Sequence, residues 1–532
     1  MVYAVGTKRM DRGRQLSVSE VFNGQAGRLN VIVQAGGRGS RLRHHTWNKP
    51  KCLVSVRGKP ILYHLFDHFP QARFWVIGDY LFDQLERYLQ VNAPGVEYKL
   101  VHATQKGTAA GVSTVLSQIP VDEPVVLTWS DLIIGSLPPW PDTSMPVVCT
   151  TSSFTCRWTV SPEGGLHEKP GSRDGIVGLF YLPTASVLSH APDKGEFVKW
   201  FAANVPSFEL LDCPQLEELG DFATIEQDND RSGFSRFFNK VEIGSDRVTK
   251  TVIDSNYEQV HVNEVAWYQQ ARSLGFRRIP KIYQETPLVM ERIMGHHAYQ
   301  MHDLSERERR AVMADYLDSL IALHDLDDQP ADPEHVREVY IEKTIARVQS
   351  VAPIIPGFDA ESMTINGKKC RNIFSGKHEG LLRSLLSALV PDRFVPIHGD
   401  PTFSNALIDD KLRVWFIDPR GYFHNPGILG DAKYDFAKVY YSAVGGYDAF
   451  NRRKFKLYID NETVEILMEE PLFAKTAKDI FAEYLGNDFS KIEVLHGLIW
   501  LALTGYARDD IDSVIGSFYL GLYWLESGMD RL

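Results

Sequence analysis

At 532 residues the chain is long enough for two to four domains at roughly 100–200 residues each, which excludes a disulfide-stapled miniprotein. Hydrophobic residues at 44% and charged residues at 23% are the mixture of a folded globular protein rather than a disordered one. A net charge of −11 argues against a nonspecific nucleic-acid binder, which needs a basic surface to displace counterions; a phosphorylated ligand must find local cationic patches.

Residues 1–28 carry Lys8, Arg9, Arg12 and Arg14 with no apolar stretch behind them, and read as an N-terminal extension rather than a secretory signal. From Leu29 short apolar runs (29–33, 74–77, 125–128, 147–150 and 176–182) alternate with helix-like stretches at 61–68 and 81–89. This alternation predicts a mostly parallel α/β sheet in a domain spanning 29–225. The polar, turn-forming stretch 226–233 is expected to be a linker to a second domain, 234–532. There, strands are expected at 234–242 and 247–253 around the turn Gly244-Ser245-Asp246, then a helix at 262–274. Beyond Glu306 the pattern is chiefly helical, interrupted by a β-like block at 394–416. Cys52, Cys149, Cys156, Cys213 and Cys370 are dispersed, odd in number and free of CxxC pairs, the usage of a reduced, cytoplasmic protein. The most apolar run, 498–503, falls far short of the roughly 20 residues of a membrane helix, so a membrane, like the nucleic acid that the net charge argues against, is not an expected partner.

After the strand at 29–33 comes Ala35-Gly36-Gly37-Arg38-Gly39-Ser40-Arg41-Leu42, where glycines let backbone N–H groups approach a polyphosphate and arginines add charge. No Asp or Glu occurs between Glu20 and Asp67, an interval holding Arg28, Arg38, Arg41, Arg43, Lys49, Lys51, Arg57 and Lys59. It is not a Walker loop, since no GKS or GKT follows. The bland reading is a glycine turn with solvated basic residues.

These residues, with Lys49-Pro50-Lys51 and Gly58-Lys59-Pro60-Ile61-Leu62, resemble the signature of sugar-phosphate and phosphocholine nucleotidyltransferases. The resemblance implies a Rossmann-like domain in which Gly36, Gly37, Arg38, Gly39, Gln105, Gly107 and Thr108 hold the nucleotide. It makes Asp131 of Ser130-Asp131 a Mg²⁺ ligand, where the family usually has Gly-Asp. Lys169 of Glu168-Lys169-Pro170 would meet the acceptor phosphate, and either Glu218 or Asp221 would supply a second metal carboxylate. The chemistry suits these residue types. Attack of a phosphomonoester on an α-phosphate joins two anions, so cations such as Arg41 and Lys51 and a divalent metal matter more than a nucleophilic side chain.

His398-Gly399-Asp400-Pro401-Thr402-Phe403-Ser404-Asn405 keeps the kinase catalytic-loop spacing, with an Asp five positions before an Asn, and Asp418 follows the apolar run 414–417. Asp400 is expected to take the acceptor hydroxyl proton, and Asn405 and Asp418 to hold Mg²⁺ on ATP. Lys250 in a strand, Glu264 in the next helix and Met290 in a hinge-like strand complete an ATP site. Residues 234–532 resemble the aminoglycoside phosphotransferase and choline kinase group, which implies a bilobal, protein-kinase-like α+β domain, with further matches at Leu323-His324 and at 430–435. Arg420 fits two readings, a contact to phosphate or a structural salt bridge.

Together these readings imply a bifunctional enzyme using ATP, a second NTP (CTP or UTP) and Mg²⁺ at both sites. The kinase would phosphorylate a sugar, polyol or amino alcohol. The other domain would turn that phosphomonoester into an NDP-activated precursor, suited to surface polysaccharide such as capsule. The competing readings are a kinase with a degenerate regulatory nucleotide domain, suggested by Ser130, and a scaffold with two dead sites.

Overall fold

The computed structural model describes residues 28–162, 164–231, 239–378 and 380–532. Packing divides the chain into two compact units. The first ends at Phe222; the second takes Ala223–Leu532 together with Arg43–Lys49 and Ser55–Gly58.

The first unit opens with β1 (Asn30–Gln34), α1 (Ile61–His68), β2 (Arg73–Gly78), α2 (Phe82–Val91), β3 (Glu97–His102) and α3 (Val112–Leu116). Then follow β4 (Val125–Trp129), β5 (Leu132–Ile134), β6 (Val147–Thr151), the hairpin β7 (Cys156–Val160) and β8 (Leu166–Ser172), β9 (Gly175–Leu182), α4 (Phe197–Asn204), β10 (Glu209–Asp212) and β11 (Leu216–Glu218). The main sheet has the order β10-β6-β9-β4-β1-β2-β3. All neighbours are parallel except β9, which runs antiparallel to β4 and β6. Every residue of β1 is buried, as expected of a strand covered on both faces by crossover helices. Ile32, Trp75, Leu127 and Phe180 of the sheet pack with Phe197 and Phe201 of α4 in the core beneath the strand ends. The edge strand β3 carries no apolar run because most of its side chains face solvent, which left it unread from the sequence.

The stretch expected as a linker is helical as far as it is described, in α5 (Phe222–Arg231), whose Ile225 is buried. Its polar residues are engaged rather than solvated, since Asn229 is buried and Glu226 pairs with His45 and Lys454, which composition alone does not tell from a loop. Residues 232–238, including the start of the strand expected at 234, lie outside the described residues; the strand is seen as β12 (Asn239–Ile243). With β13 (Arg247–Val252), β14 (Ile282–Gln284) and β15 (Leu288–Glu291) it forms an antiparallel sheet, order β12-β13-β15-β14, and α6 (Glu258–Ser273) intervenes after β13.

The rest of the second unit is largely helical. It contains α7 (Glu306–His324), started by a Ser305/Glu308 capping box, and α8 (Lys343–Gln349), entered through the π-helical turn Glu338–Glu342. The β-like block divides into β16 (Arg393–Pro396) and the hairpin β17 (Ala406–Ile408) and β18 (Val414–Phe416), so the His-Gly-Asp loop sits between strands. α9 (Ala432–Ala443), α10 (Phe489–Thr504) and α11 (Ile511–Met529) follow. The apolar run 498–503 lies in α10, whose Leu498, Trp500 and Leu501 are buried. Among the described residues no helix is long and apolar enough to cross a membrane.

Candidate active sites

In the first unit β1, β2 and β4 end side by side, with Gln34 in register with both Ile77 and Trp129. The crevice beyond the carboxyl ends of parallel strands is where open α/β sheets take ligands. Gly36, Gly37, Arg38 and Gly39 follow β1 there, and Asp131 follows β4. Ser130 N–H donates to the Gln34 carbonyl at 3.2 Å, and Leu219 N–H donates to the Asp131 carbonyl at 2.8 Å. β11 pairs antiparallel with β5, placing Glu218 opposite Leu132 and so beside Asp131.

Lys51, in a short 3₁₀ turn, sets its ammonium 2.6 Å from the Asp131 carboxylate, with the two side chains 10% and 20% exposed. Arg41 lies 3.8 Å from Glu218 and is 70% exposed, a cation at the mouth. Burial and then the Asp131 charge push the Glu218 carboxyl above its ordinary range; Lys51 and Arg41 pull it back and Asp221 adds to the push. Two carboxylates that repel each other across a polar crevice are an all-oxygen donor set fitting Mg²⁺.

The loop of Gln105, Gly107 and Thr108 is latched to the segment before α4. Gly195 N–H donates to the Lys106 carbonyl and Ala109 N–H to the Gly195 carbonyl, each at 2.9 Å. Thr108 Oγ1 accepts from Phe197 N–H at 2.9 Å, the first turn of α4. Gly107 has φ +105°, and a Cβ there would lie 2.2 Å from the Gly195 oxygen, so only glycine fits. A cavity of about 210 Å³ runs from Thr108 past Trp129, Trp158 and Arg157 to Asp131 and Glu218. Lys169 is exposed on β8 and is not among the residues lining it. Its neighbour Glu168 bonds Arg157 at 2.7 Å, and Arg157, which also meets Glu196 at 3.0 Å, is the cation that lines the cavity. Nothing in the spacing of Arg157 marked it.

In the second unit Lys250 of β13 is nearly buried. Its ammonium lies 2.7 Å from Glu264 of α6 and 2.9 Å from Asp418. Asp418 sits at φ +54°, backbone strain of the kind found where a carboxylate is aimed at a ligand, and its N–H donates to Tyr268 Oη at 3.1 Å. Met290, buried in β15, is in register with Val248 of β13.

The candidate catalytic loop hangs from α9. Buried Asp435 accepts from His398 N–H at 2.8 Å and Gly399 N–H at 2.7 Å, and lies 3.1 Å from His324. The Leu323-His324 and 430–435 segments singled out in the sequence thus converge on this carboxylate. His398 donates from Nε2 to the Ile417 carbonyl at 3.0 Å, which ties the loop to the strand before Asp418. Asn405 Nδ2 donates to Asp400 Oδ2 at 2.9 Å, and Lys438 of α9 lies 2.9 Å from Asp400 Oδ1. Lys438 has no sequence signature. Gly399, at φ +82°, would bring a Cβ within 2.9 Å of the Arg420 Cβ. Asn405 and Asp418 offer oxygen donors on either side of this loop, a fit for Mg²⁺. A cavity of about 460 Å³ in the second unit is lined by His335, Phe394, Phe423 and His424 and by none of these residues.

This architecture, a Rossmann-like α/β unit with a glycine- and arginine-rich loop at its strand ends followed by a kinase-like unit, defines a two-domain class of transferase. Residues 31–135 match the MobA-like NTP transferase domain and residues 230–464 match the phosphotransferase enzyme family, so the chain joins one domain of each enzyme family. It is similar to the UTP–glucose-1-phosphate uridylyltransferase AglF of Haloferax volcanii, 34% identical over 112 residues, which are 20% of this chain and 45% of that protein. The chain thus spans about half the length of this curated relative. Among solved structures it is similar to HddC from Yersinia pseudotuberculosis (16% identity, TM-score 0.33, 38% of this chain and 98% of that one). It is also similar to the inositol-1-phosphate CTP transferase from T. maritima (17%, 0.32, 37% and 92%).

Proposed function

We propose that the chain is a bifunctional enzyme that phosphorylates a small hydroxylated acceptor with ATP in its second unit and joins a nucleotidyl group to that phosphate in its first, yielding an NDP-activated precursor for a surface polysaccharide. The observation that carries this is the assembly, in each unit, of a buried lysine on a carboxylate in the place its phosphate chemistry needs: Lys51 on Asp131, and Lys250 on Glu264 and Asp418. The product of the kinase reaction, a phosphomonoester, is the substrate class of the nucleotidyl transfer. The Haloferax relative is by name a uridylyltransferase, which supports a pyrimidine triphosphate, UTP or CTP.

In the second unit the acceptor hydroxyl oxygen attacks the γ-phosphorus, its proton passes to Asp400, the bond from that phosphorus to the bridging oxygen breaks, and ADP leaves. Asn405 and Lys438 hold the Asp400 carboxylate in place, and Lys250 neutralises the triphosphate. In the first unit a phosphate oxygen of the acceptor attacks the α-phosphorus, and pyrophosphate leaves as the bond to its bridging oxygen breaks. Lys51 and Arg41 offset the charge gathered there, and Arg157, which lines the cavity, is available to the acceptor phosphate. Mg²⁺, held by Asp131 and Glu218 in one unit and by Asn405 and Asp418 in the other, supplies further charge neutralisation when bound.

The test is the intact protein with ATP, Mg²⁺ and each NTP against sugars, polyols and amino alcohols, with mass detection of products. ADP, pyrophosphate and an NDP-linked acceptor are expected together. ADP without pyrophosphate, even from supplied phosphorylated acceptors, would make the first unit a regulatory domain; neither product would leave a scaffold.

A further inference from the structure

The surroundings of Asp400 hold, besides Lys438, positive charge that the reaction as described does not use. Arg420 stacks over Tyr422 with its guanidinium carbon 4.2 Å from the ring centroid, lies 5.7 Å from that of Tyr434, and donates to the Tyr434 hydroxyl at 2.8 Å. Lys343 shares the Tyr422 ring at 5.8 Å, and Lys438 shares the Tyr434 ring at 5.8 Å while pairing with Asp400. Two tyrosines therefore bridge three cations in a row that ends at the proposed base. Arg347, one turn beyond Lys343 on the same face of α8, adds a fourth, held by the Ala502 carbonyl at 3.1 Å and 5.8 Å from the Tyr506 ring.

Apart from Asp400, which pairs with Lys438 at the end of the row and whose charge also acts on Arg420, the acids near it are engaged elsewhere. Glu342 pairs with Arg337 and Arg383, each at 2.6 Å, and Asp431 pairs with Lys433 at 3.4 Å and takes the Tyr340 hydroxyl at 2.9 Å. Among the described residues Lys343, Arg347 and Arg420 make no ion pair with a carboxylate. The nucleotide-side charges Lys250 and Asp418 do not figure among those acting on Lys343, which are Arg420, Arg347 and Lys438. Burial and then these cations depress the Lys343 ammonium to about 6, so holding a charge there is costly without an anion beside it. Of the two sequence readings of Arg420, the salt bridge is not what the structure shows.

We propose that Lys343, Arg347 and Arg420 bind an anionic group carried by the acceptor itself, a carboxylate or phosphate, so that the kinase phosphorylates a hydroxylated acid rather than a neutral polyol or a cationic amino alcohol. This rests on the reading of Asp400 as the kinase base. The row gives the acceptor's negative end a fixed seat and leaves its hydroxyl at Asp400, and it repels amino alcohols by like charge.

The test uses the intact protein with ATP and Mg²⁺ and matched acceptors differing only in their end group: a polyol, its amino alcohol, its carboxylic acid and its phosphate ester. ADP release is measured for each. The acid or the ester is expected to exceed the polyol at least tenfold in kcat/KM, and the comparison between those two identifies the anion. Lys343→Met should raise the KM for that acceptor at least tenfold without raising the KM for ATP, while the melting temperature stays level or rises because a desolvated cation is gone. Equal or better turnover of the polyol or amino alcohol overturns the proposal, as does an effect of Lys343→Met confined to the ATP KM. If no acceptor gives ADP, the kinase reading fails separately. Calorimetric titration with inorganic phosphate then decides the anion site: binding weakened tenfold or more in Lys343→Met supports it, and equal binding overturns it.

Discussion

On the proposed reading the two candidate sites meet the same chemical problem, anionic phosphates, and differ in where the further cations around a buried lysine stand. In the first unit Lys51 is 10% exposed and rests on Asp131, but a second cation, Arg41, stands at the mouth, 70% exposed. In the second unit the cations are inside: Lys250 is 6% and Lys438 15% exposed, and each rests on a carboxylate. Exposed charge attracts a polyanion from a distance and is screened by salt, whereas buried charge resists screening and discriminates by the cost of leaving it unpaired. The contrast teaches that a mobile triphosphate and its pyrophosphate product suit an open cationic rim, while selection among acceptors suits a desolvated one.

The sharpest break of the comparison is to silence one site and watch the other. Asp400→Asn should lower phosphoryl transfer by roughly 10²–10⁴, the usual contribution of a general base, with pyrophosphate release from a supplied phosphorylated acceptor unchanged. Parallel loss of both in a folded protein would mean that the two centres are not independent. Lys51→Met should lower nucleotidyl transfer by roughly 10²–10³, as expected for removing one preorganised electrostatic partner, and leave ADP release intact; stopped assays with each product measured separately settle it.

Protonation probes the interior of the second unit. His496 is buried, its Nε2 accepts from Trp500 Nε1–H at 2.9 Å, and burial depresses its pKa to about 3. Between the ordinary value near 6.5 and about 3 the unfolded chain binds a proton that the native chain refuses. Stability therefore falls as pH falls through that window, by up to about 1.4 kcal/mol per unit, and is unaffected by this group above it. Denaturant melts from pH 7 to pH 4 should show a shallower loss in His496→Gln than in the natural protein; identical slopes would remove this histidine from the account. The smallest effect expected is ionic. Raising salt from 0.05 to 0.5 M should increase the NTP KM of nucleotidyl transfer several-fold and change the kinase acceptor KM less, because the Arg41 rim is exposed and the Lys343 row is not.

Much of each site was legible before any coordinates. The glycine-arginine loop, Asp131, the Asp400/Asn405 spacing and Asp418 are local in sequence, and their chemistry is tied to residue type and short spacing. Lys250 and Glu264 were legible because a strand lysine followed by a helix glutamate is a compact pattern. Asp435 was visible only as part of a matching stretch; its role, carrying the His398 and Gly399 amides, appears when α9 packs against the loop.

By itself, then, the sequence determined the alternation that makes the first sheet mostly parallel, the two domain families and the candidate carboxylates, because each is written in periodicity or in a short motif. Only the tertiary structure decided what stands around them. Lys51 meets Asp131 across 80 positions, and Arg157 lines the cavity, which Lys169 does not. The last two residues of Lys49-Pro50-Lys51 count with the first unit, but Lys49 counts with the second, where it is buried 2.7 Å from Asp510 and 2.6 Å from Asp512. The row of Lys343, Arg420 and Lys438 is drawn from two helices and a loop with no common spacing. Periodicity tells which face of an element is buried but not what it is buried against, and it is that choice of neighbour that sets charge, depth and selectivity.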